Sequence, residues 1–238
     1  MIDLHVNKLD VSASEFAYCQ SLLDEEEMAR ARQFRIPELE NRWVVARSRL
    51  KEILAQHCAS SPAELRFGSE TNGKPILVRP STERRLHFSI SHSHHLAVVG
   101  VTELAPIGVD IEYQQSDFDW HAIARRYFAP GEYRQIMALP ENHRQHAFYC
   151  CWTRKEAVVK ATGEGLSDRF RSFEVSVSPD ERAEVLTDVS QDAPASEWLL
   201  QHLEFGEDFV GAMALRANHV TTHCQLSPRI HWREPIEP

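Results

Sequence analysis

The six residues GVDIEY, at positions 108–113, constrain the fold most because they set two acids, Asp110 and Glu112, inside an apolar run. Such a run is typical of a buried strand. Residues two apart in a strand point to the same face, so the two carboxylates would project side by side while Val109 and Ile111 face the other way. Adjacent like charges repel, and each raises the pKa of the other unless a cation lies between them. The stretch therefore predicts a buried strand that binds either a metal ion or a proton.

Length and composition are those of a folded globular protein. The 238 residues allow one large domain or two small ones, and the hydrophobic content of 42% argues against extensive disorder. No apolar run is long enough to cross a bilayer, and the first ten residues lack the features of a secretory signal. The cysteines have no CxxC spacing, which predicts free thiols in a reducing compartment. They are Cys19, Cys58, Cys150, Cys151 and Cys224. We therefore expect a cytoplasmic protein that does not contact a membrane.

The formal net charge of −9 disfavours binding to nucleic acid, which needs a basic surface. One segment, from Arg30 to Lys51, has the opposite local charge. Its basic residues are Arg30, Arg32, Arg35, Arg42, Arg47, Arg49 and Lys51. This segment fits a phosphorylated small molecule, and it fits equally well a solvated helix face with Glu38 and Glu40 as ion-pair partners.

Apolar periodicity and turn residues predict an α+β chain. We expect helices at 24–32, with Ser21 as the cap, and at 38–58, 121–128, 130–138 and 144–162. We expect strands at the N terminus and at 65–67, 75–78, 86–90, 96–101, 108–113, 173–177, 198–205 and 209–215. Each half of the chain thus combines helices with an antiparallel sheet. The last twenty or so residues, which include three prolines, are expected to form a loosely held tail.

A second informative stretch is WTRKEAVVKATGEGL, from Trp152 to Leu166. On a helix, Trp152, Glu156 and Lys160 are spaced four residues apart and share one face. Alone, the Glu156 and Lys160 pair is typical of a solvated ion pair. With Asp110 and Glu112, however, Glu156 supplies a third carboxylate. Three carboxylates beside a lysine suit Mg²⁺, a hard ion that takes oxygen ligands and completes its shell with phosphate oxygens.

Five ordered motifs now give a specific resemblance. GVDIE at 108–112 and WTRKEAVVK at 152–160 resemble the signature pair of 4′-phosphopantetheinyl transferases. Gly73-Lys74-Pro75 and FSISHS at 88–93 are similar to upstream motifs of the long, Sfp-type branch, and RYFAPGEY at 126–133 is similar to its FFxxxEY segment. The family usually has asparagine before the ISH triplet, where this chain has Ser89.

The resemblance implies a monomer of two similar α+β subdomains, each a small antiparallel sheet with helices. The N-terminal subdomain would span residues 1–105 and bind the 3′-phosphate and adenine of coenzyme A. The C-terminal subdomain, residues 106–217, would carry the metal and catalytic residues, and residues 218–238 would be the tail. The reaction would move phosphopantetheine from coenzyme A to a serine of an acyl or peptidyl carrier protein and release adenosine 3′,5′-bisphosphate.

The same resemblance implies a role for each candidate residue. Asp110, Glu112 and Glu156 would hold Mg²⁺, or Mn²⁺ in its place, against the coenzyme diphosphate. Glu156, directly or through a metal-bound water, would take the proton of the incoming serine, and Lys160 would stabilise the leaving group. The expected coenzyme contacts are Arg30, Arg42, Lys74, Ser89, His92, Asp110 and Lys160.

Other functions stay open at this point. A metal-dependent phosphodiesterase could use the same three carboxylates with water as the acceptor. A silent coenzyme A or carrier-binding module should have lost Asp110, Glu156 or Lys160, and all three are present. Zinc binding is disfavoured because the histidines near His92 lack finger spacing. Glu132 would be a second acid near the metal, a helix cap or a surface residue. A carrier protein would dock mainly through apolar contacts on 120–133.

Overall fold

The fold is mixed α+β, as the sequence predicts. A computed structural model describes residues 1–69, 74–79, 86–163, 168–190, 194–216 and 228–233. The helices in these ranges are α1 (Ala13–Ser21), α2 (Glu25–Ala31), α3 (Pro37–Cys58), α4 (Trp120–Tyr127), α5 (Pro130–Ala138) and α6 (Glu141–Thr162). The strands are β1 (Ile2–Lys8), β2 (Arg66–Ser69), β3 (Pro75–Arg79), β4 (His87–Ser93), β5 (Leu96–Thr102), β6 (Ile107–Tyr113), β7 (Trp198–Glu204), β8 (Phe209–Arg216) and β9 (Arg229–Arg233).

Local sequence explains where the main helices begin and end. Asp24 caps α2, since its carboxylate accepts the Glu27 N–H while the Glu27 carboxylate accepts the Asp24 N–H. The prediction that Ser21 is this cap is therefore wrong. Helix α3 begins at Pro37, which needs no hydrogen bond at that position. Helix α6 ends at Gly163, whose φ of +76° is the left-handed conformation that glycine adopts without strain.

Three sheets carry the strands. The first has the order β4-β5-β1-β9, the second is the β2-β3 hairpin, and the third has the order β6-β8-β7. All pairings are antiparallel except that of β9 with β1. The expectation of an antiparallel first sheet is thus corrected at its edge.

Strand β9 also corrects the expectation of a loosely held tail. It pairs with β1 from Asp3 to Asn7, and Asp3 accepts hydrogen bonds from Arg229 and His231 at 3.0 Å. Arg233 forms an ion pair with Glu52 of α3 at 2.9 Å. These contacts attach Arg229–Arg233 to the N-terminal sheet, while 217–227 and 234–238 lie outside the described residues.

The first and third sheets pack against each other through one apolar core. It joins side chains of β1 and β5 to side chains of β6, β7 and β8, namely Ile2, Leu4, Val6, Leu96, Val98, Ile107, Val109, Ile111, Leu203, Met213 and Leu215. Each fully buried aliphatic side chain of this kind stabilises a fold by about 1.5–3 kcal/mol. The two halves of the chain therefore share a core, and β6 lies at their junction.

Several further expectations can be compared with the described residues. The strand expected at 173–177 is wrong, since this segment forms only an isolated bridge between Val175 and Val185. Cys19, Cys58, Cys150 and Cys151 are free thiols, as predicted, and Cys224 lies outside the described ranges. Among the helices that the structure describes, none has both the length and the apolar character that a membrane span requires.

Candidate active site

Strand β6 presents its two acids as the alternation predicts. Val109 and Ile111 are fully buried in the core that the two sheets share. Asp110, which is 3% exposed, and Glu112, which is partly buried, occupy the alternate positions of the strand. The neighbouring strands β4 and β8 both contact β6. The two carboxylates thus lie side by side on the face of β6 opposite the shared core, at the junction of the two halves.

Helix α6 lies directly on β6 because residue 108 is glycine. A Cβ atom at Gly108 would stand 1.9 Å from the carbonyl oxygen of Ala157 and 2.7 Å from the amide nitrogen of Ala161. Only a residue without a side chain permits this approach. The contact brings Lys160 over the strand, where its Nζ lies 2.7 Å from Asp110 Oδ1.

The expected helix face of Trp152, Glu156 and Lys160 is confirmed. Glu156 is 7% exposed, and its carboxylate interacts electrostatically with those of Asp110 and Glu112. Trp152 packs against Phe148 and Phe170 and lies beside Glu112. Trp152 therefore both anchors α6 in the core and contacts the acidic cluster.

The pKa values show how strained the acidic cluster is. Burial, followed by repulsion from Asp110, raises the pKa of Glu112 to about 7, against the opposing effect of the hydrogen bond from Ser93. Burial and the Asp110 charge likewise raise the pKa of Glu156 to about 7. The single ammonium of Lys160 lowers both values but does not balance three carboxylates. The cluster therefore favours a further positive charge.

The donor set of this cluster fits a hard divalent cation. Its ligating atoms would all be carboxylate oxygens, which Mg²⁺ and Mn²⁺ prefer. Asp110 Oδ1 accepts from Ser91 and Lys160, whereas its buried Oδ2 has no hydrogen-bond partner. Among the residues that the structure describes, no three His, Cys, Asp or Glu side chains lie close enough together to hold a metal ion as they stand. The metal assignment of Asp110, Glu112 and Glu156 therefore stays a prediction.

Strand β4 supplies the opposite wall of the site through alternating serines. Ser91 Oγ lies 2.8 Å from Asp110 Oδ1 and 2.9 Å from Lys160 Nζ. Ser93 Oγ lies 2.9 Å from Glu112 Oε2. Sequence reasoning assigned no role to Ser91 or Ser93, although their spacing of two residues matches that of the acids on β6.

Ser89, the first serine of β4, does not contact the acids. It is 4% exposed, and its hydroxyl accepts the Val109 N–H at 3.1 Å. This buried position argues against the predicted coenzyme contact.

Lys74 and His92 lie close to the acidic cluster although they belong to the other half of the chain. Lys74 Nζ donates to the backbone carbonyl of Lys160 at 2.6 Å, in the last turn of α6. Partial burial, followed by repulsion from Lys160, lowers the pKa of His92. The structure thus brings both residues to the cluster, while Gly73 of the same motif lies outside the described residues.

Arg30 lines a cavity of about 620 Å³ in the N-terminal half. The wall also includes Trp43, Arg47, Phe67 and Pro75, the residue that follows Lys74. Arg30 lies 5.9 Å from the centre of the Trp43 ring, and Arg47 lies 3.9 Å from the centre of the Phe67 ring. Arginines beside aromatic rings suit a phosphorylated aromatic ligand. The sequence placed Arg47 in a basic segment but did not assign it to a site.

Arg42 does not line this cavity and pairs with two acids instead. It makes a two-point ion pair with Asp10, at 2.7 and 3.0 Å, and a further pair with Glu38 at 2.6 Å. These acids already balance its charge. Arg42 therefore forms structural ion pairs and does not join Arg30 in the wall of the cavity.

A smaller cavity of about 200 Å³ adjoins Glu112. Aromatic side chains form most of its wall, namely Tyr113, Phe118, Phe148, Tyr149 and Trp152. The cavity thus gives the acidic cluster an apolar neighbour on the C-terminal side.

Glu132 acts within the scaffold. Its carboxylate accepts from Ala129 N, Val175 N and Lys155 Nζ, and the ion pair with Lys155 is completely buried. Burial raises the pKa of Glu132, and Lys155 opposes that change. Of the three predicted roles, the capping role is confirmed, and the surface role is wrong because Glu132 is fully buried. The pair fixes the part of α6 that carries Glu156.

Comparison with known proteins shows the family to which this chain belongs. A sequence profile of the 4′-phosphopantetheinyl transferase superfamily matches residues 106–214, and a profile of a 4′-phosphopantetheinyl transferase N-terminal region matches residues 8–103. The chain is 35% identical over 207 residues to the 4′-phosphopantetheinyl transferase HetI of Nostoc sp., which covers 87% of this chain and 84% of that protein.

Two further relatives come from bacilli. The chain is 34% identical over 159 residues to the 4′-phosphopantetheinyl transferase psf-1 of Bacillus pumilus, covering 66% of this chain and 65% of that protein. It is 28% identical over 170 residues to the 4′-phosphopantetheinyl transferase Sfp of Bacillus subtilis, covering 71% of this chain and 73% of that protein. The chain belongs to the 4′-phosphopantetheinyl transferase family.

Proposed function

We propose that this protein transfers the 4′-phosphopantetheine group of coenzyme A to a serine of an acyl or peptidyl carrier protein, with a divalent metal ion. The observation that carries the proposal is the cluster of Asp110, Glu112 and Glu156 around Lys160, at the junction of the two halves. An acidic cluster suited to a divalent cation, with basic residues beside it, is the arrangement that diphosphate chemistry requires.

The three carboxylates would hold Mg²⁺ through oxygen ligands. A bound Mg²⁺ supplies positive charge that neutralises the diphosphate of coenzyme A as its phosphorus–oxygen bond breaks. Mn²⁺ has the same preference for carboxylate and phosphate oxygens and would substitute for it.

The chain's own residues would carry the proton and the leaving group. The carrier serine oxygen forms a new bond to the phosphorus atom that bears pantetheine, and the bond from this phosphorus to the bridging diphosphate oxygen breaks. Glu156 takes the serine proton as the general base. Lys160 stabilises the negative charge on adenosine 3′,5′-bisphosphate as it leaves.

The cavity beside Arg30 would hold the adenine and 3′-phosphate of coenzyme A. Arg30 provides positive charge there, Arg47 is paired with Glu27 at 2.7 Å, and Trp43 and Phe67 provide aromatic surface. Lys74 and His92 lie beside the acidic cluster, and Pro75, the residue after Lys74, lines the cavity, so Lys74 and His92 would contact the phosphates. The proposal leaves out Arg42 and Ser89 because ion pairs and burial already engage them.

The architecture would be that of two similar subdomains, residues 1–105 and 106–217. Each contains a 22-residue helix, α3 or α6, that ends in a left-handed residue, Ala59 or Gly163. Each helix packs beside an antiparallel set of three strands. We further propose that the protein works as a cytoplasmic monomer, since one chain supplies every residue assigned to the site.

The carrier protein would dock on the surface formed by residues 120–133. Helix α4 exposes Arg125 and Arg126 there, and Tyr127 is 36% exposed. Basic residues around apolar surface suit acidic carrier proteins. Reversing both charges, with Arg125→Glu and Arg126→Glu, should raise the KM for the carrier and leave the KM for coenzyme A unchanged. Unchanged turnover of every carrier would refute this docking surface.

Intact-protein mass spectrometry tests the proposed reaction. Apo carriers of fatty acid, polyketide and peptide synthesis are incubated with the protein, coenzyme A and Mg²⁺. We expect a mass gain of one phosphopantetheine, which EDTA or Glu156→Gln abolishes. Hydrolysis of coenzyme A without carrier modification would instead support a phosphodiesterase. Coenzyme A that is bound and unchanged would support a silent binding module.

A further inference from the structure

The alternation of serines on β4 matches that of polar groups on β6. Ser89, Ser91 and Ser93 stand at every second position of β4, so their side chains share one face. Each of the three hydroxyls has a hydrogen-bond partner on β6. These two strands belong to different sheets. The serines therefore fix the position of β4, a strand of the N-terminal sheet, relative to β6, the strand that carries the acids.

Ser93 makes two hydrogen bonds that fix its hydroxyl group. Its Oγ accepts the Tyr113 N–H at 3.0 Å and lies 2.9 Å from Glu112 Oε2. A serine hydroxyl has one hydrogen to donate and two lone pairs to accept with. Because the backbone N–H occupies a lone pair, the hydroxyl hydrogen points to the Glu112 carboxylate.

The other two serines have different tasks. The Ser91 hydroxyl is shared between Asp110 and Lys160, so replacing it would disturb a proposed catalytic lysine as well as a carboxylate. The Ser89 hydroxyl accepts from the Val109 backbone and meets no carboxylate. Ser93 is thus the serine whose hydroxyl acts on a single proposed metal ligand.

We propose that Ser93 is a positioning residue, whose hydroxyl holds the Glu112 carboxylate in the orientation that binds the divalent metal ion. This inference rests on the proposed function, since it assigns Glu112 as a ligand. It goes further by giving a residue of the N-terminal half control over metal affinity. Partners that orient a ligating side chain typically change metal affinity by about tenfold to a hundredfold when they are removed.

The experiment is a titration of the purified full chain with Mn²⁺, followed by electron paramagnetic resonance of the free ion. It compares the unmodified protein with Ser93→Ala, Ser93→Thr and Ser176→Ala. Ser176 is the matched control because it is buried in the C-terminal half and accepts a backbone N–H, from Glu184 at 2.9 Å. Its replacement removes this hydrogen bond and a second one from Arg154 Nη1 at 3.2 Å, and neither bond involves a residue of the acidic cluster.

We expect Ser93→Ala to weaken Mn²⁺ binding by about tenfold to a hundredfold. Ser93→Thr keeps the hydroxyl and should restore binding, and Ser176→Ala should bind Mn²⁺ as the unmodified protein does. The half-saturating Mg²⁺ concentration for carrier modification should rise in Ser93→Ala, while the KM for coenzyme A stays unchanged at saturating Mg²⁺.

Two results would overturn the inference alone. One is a Ser93→Ala variant that binds Mn²⁺ as tightly as the unmodified protein, and the other is an equal loss in Ser93→Ala and Ser176→Ala, which would reveal a general loss of structure. An unmodified protein that neither binds Mn²⁺ nor modifies a carrier would overturn the proposed function and this inference together.

Discussion

Replacing Gly108 with alanine should uncouple the helix that carries Glu156 from the strand that carries Asp110. The new Cβ atom would stand 1.9 Å from Ala157 O, 2.9 Å from Ala157 C and 2.7 Å from Ala161 N. All three are backbone atoms of α6, so no side-chain rotation relieves the overlap. The helix must instead move away from β6.

The size of this movement follows from the contact distance. Ordinary van der Waals contact of a Cβ atom begins at 3.4 Å, so the separation from Ala157 O must grow by roughly 1.5 Å. Lys160 Nζ, now 2.7 Å from Asp110 Oδ1, would leave hydrogen-bonding distance. Since a displacement of about 1 Å can lower the catalytic rate about a hundredfold, we expect kcat/KM for the carrier protein to fall by at least that factor. Overpacking should also lower the free energy of unfolding by about 1–3 kcal/mol.

The assay measures carrier modification at saturating coenzyme A, together with urea unfolding to show that the variant is folded. Gly206→Ala is the control, because Gly206 has a φ of +88° and no atom lies within 4 Å of an added Cβ. It should lose about 1–2 kcal/mol of stability from backbone strain and keep full activity. A folded Gly108→Ala protein with the kcat/KM of the unmodified enzyme would show that the close contact between β6 and α6 does not position the catalytic residues.

Two further changes test the scaffold. Glu132→Ala leaves Lys155 buried without its carboxylate, so urea unfolding should show a loss of about 3–5 kcal/mol, and a loss near zero would contradict a structural role for the pair. Burial, followed by repulsion from His231, lowers the pKa of His5 to about 4, so the unfolded chain binds more protons between pH 6.5 and 4. The free energy of unfolding should therefore fall by about 2 kcal/mol as the pH drops through this range, after allowance for the partial exposure of His5. The fall should be smaller in His5→Phe. An equal dependence of the free energy of unfolding on pH in both proteins would contradict this prediction.

Much of the fold and of the acidic cluster could be predicted from sequence because both follow local periodicity. The strand alternation around Asp110 and the helical spacing of Glu156 and Lys160 each need only a short window of residues. The pairing of β9 with β1 could not be predicted in this way. It depends on contacts such as Asp3 with Arg229, which are 226 residues apart in the chain.

The residues expected to contact coenzyme A also show what local sequence can and cannot predict. Lys74 was expected from a motif to contact coenzyme A, and its Nζ lies against the backbone carbonyl of Lys160. Arg42 and Ser89 were named on similar grounds, but distant partners, Asp10 and Val109, engage them. A motif gives the position of a side chain in the sequence, whereas only the tertiary fold determines which neighbour satisfies its charge or hydrogen bond.

Anomalous X-ray diffraction from a crystal grown with coenzyme A and Mn²⁺ would locate the metal ion. We expect one strong anomalous peak bounded by the carboxylates of Asp110, Glu112 and Glu156 and by the coenzyme diphosphate, with Lys160 beside the diphosphate. Coenzyme A bound with no peak at these carboxylates, or a peak held by other residues, would contradict this expectation.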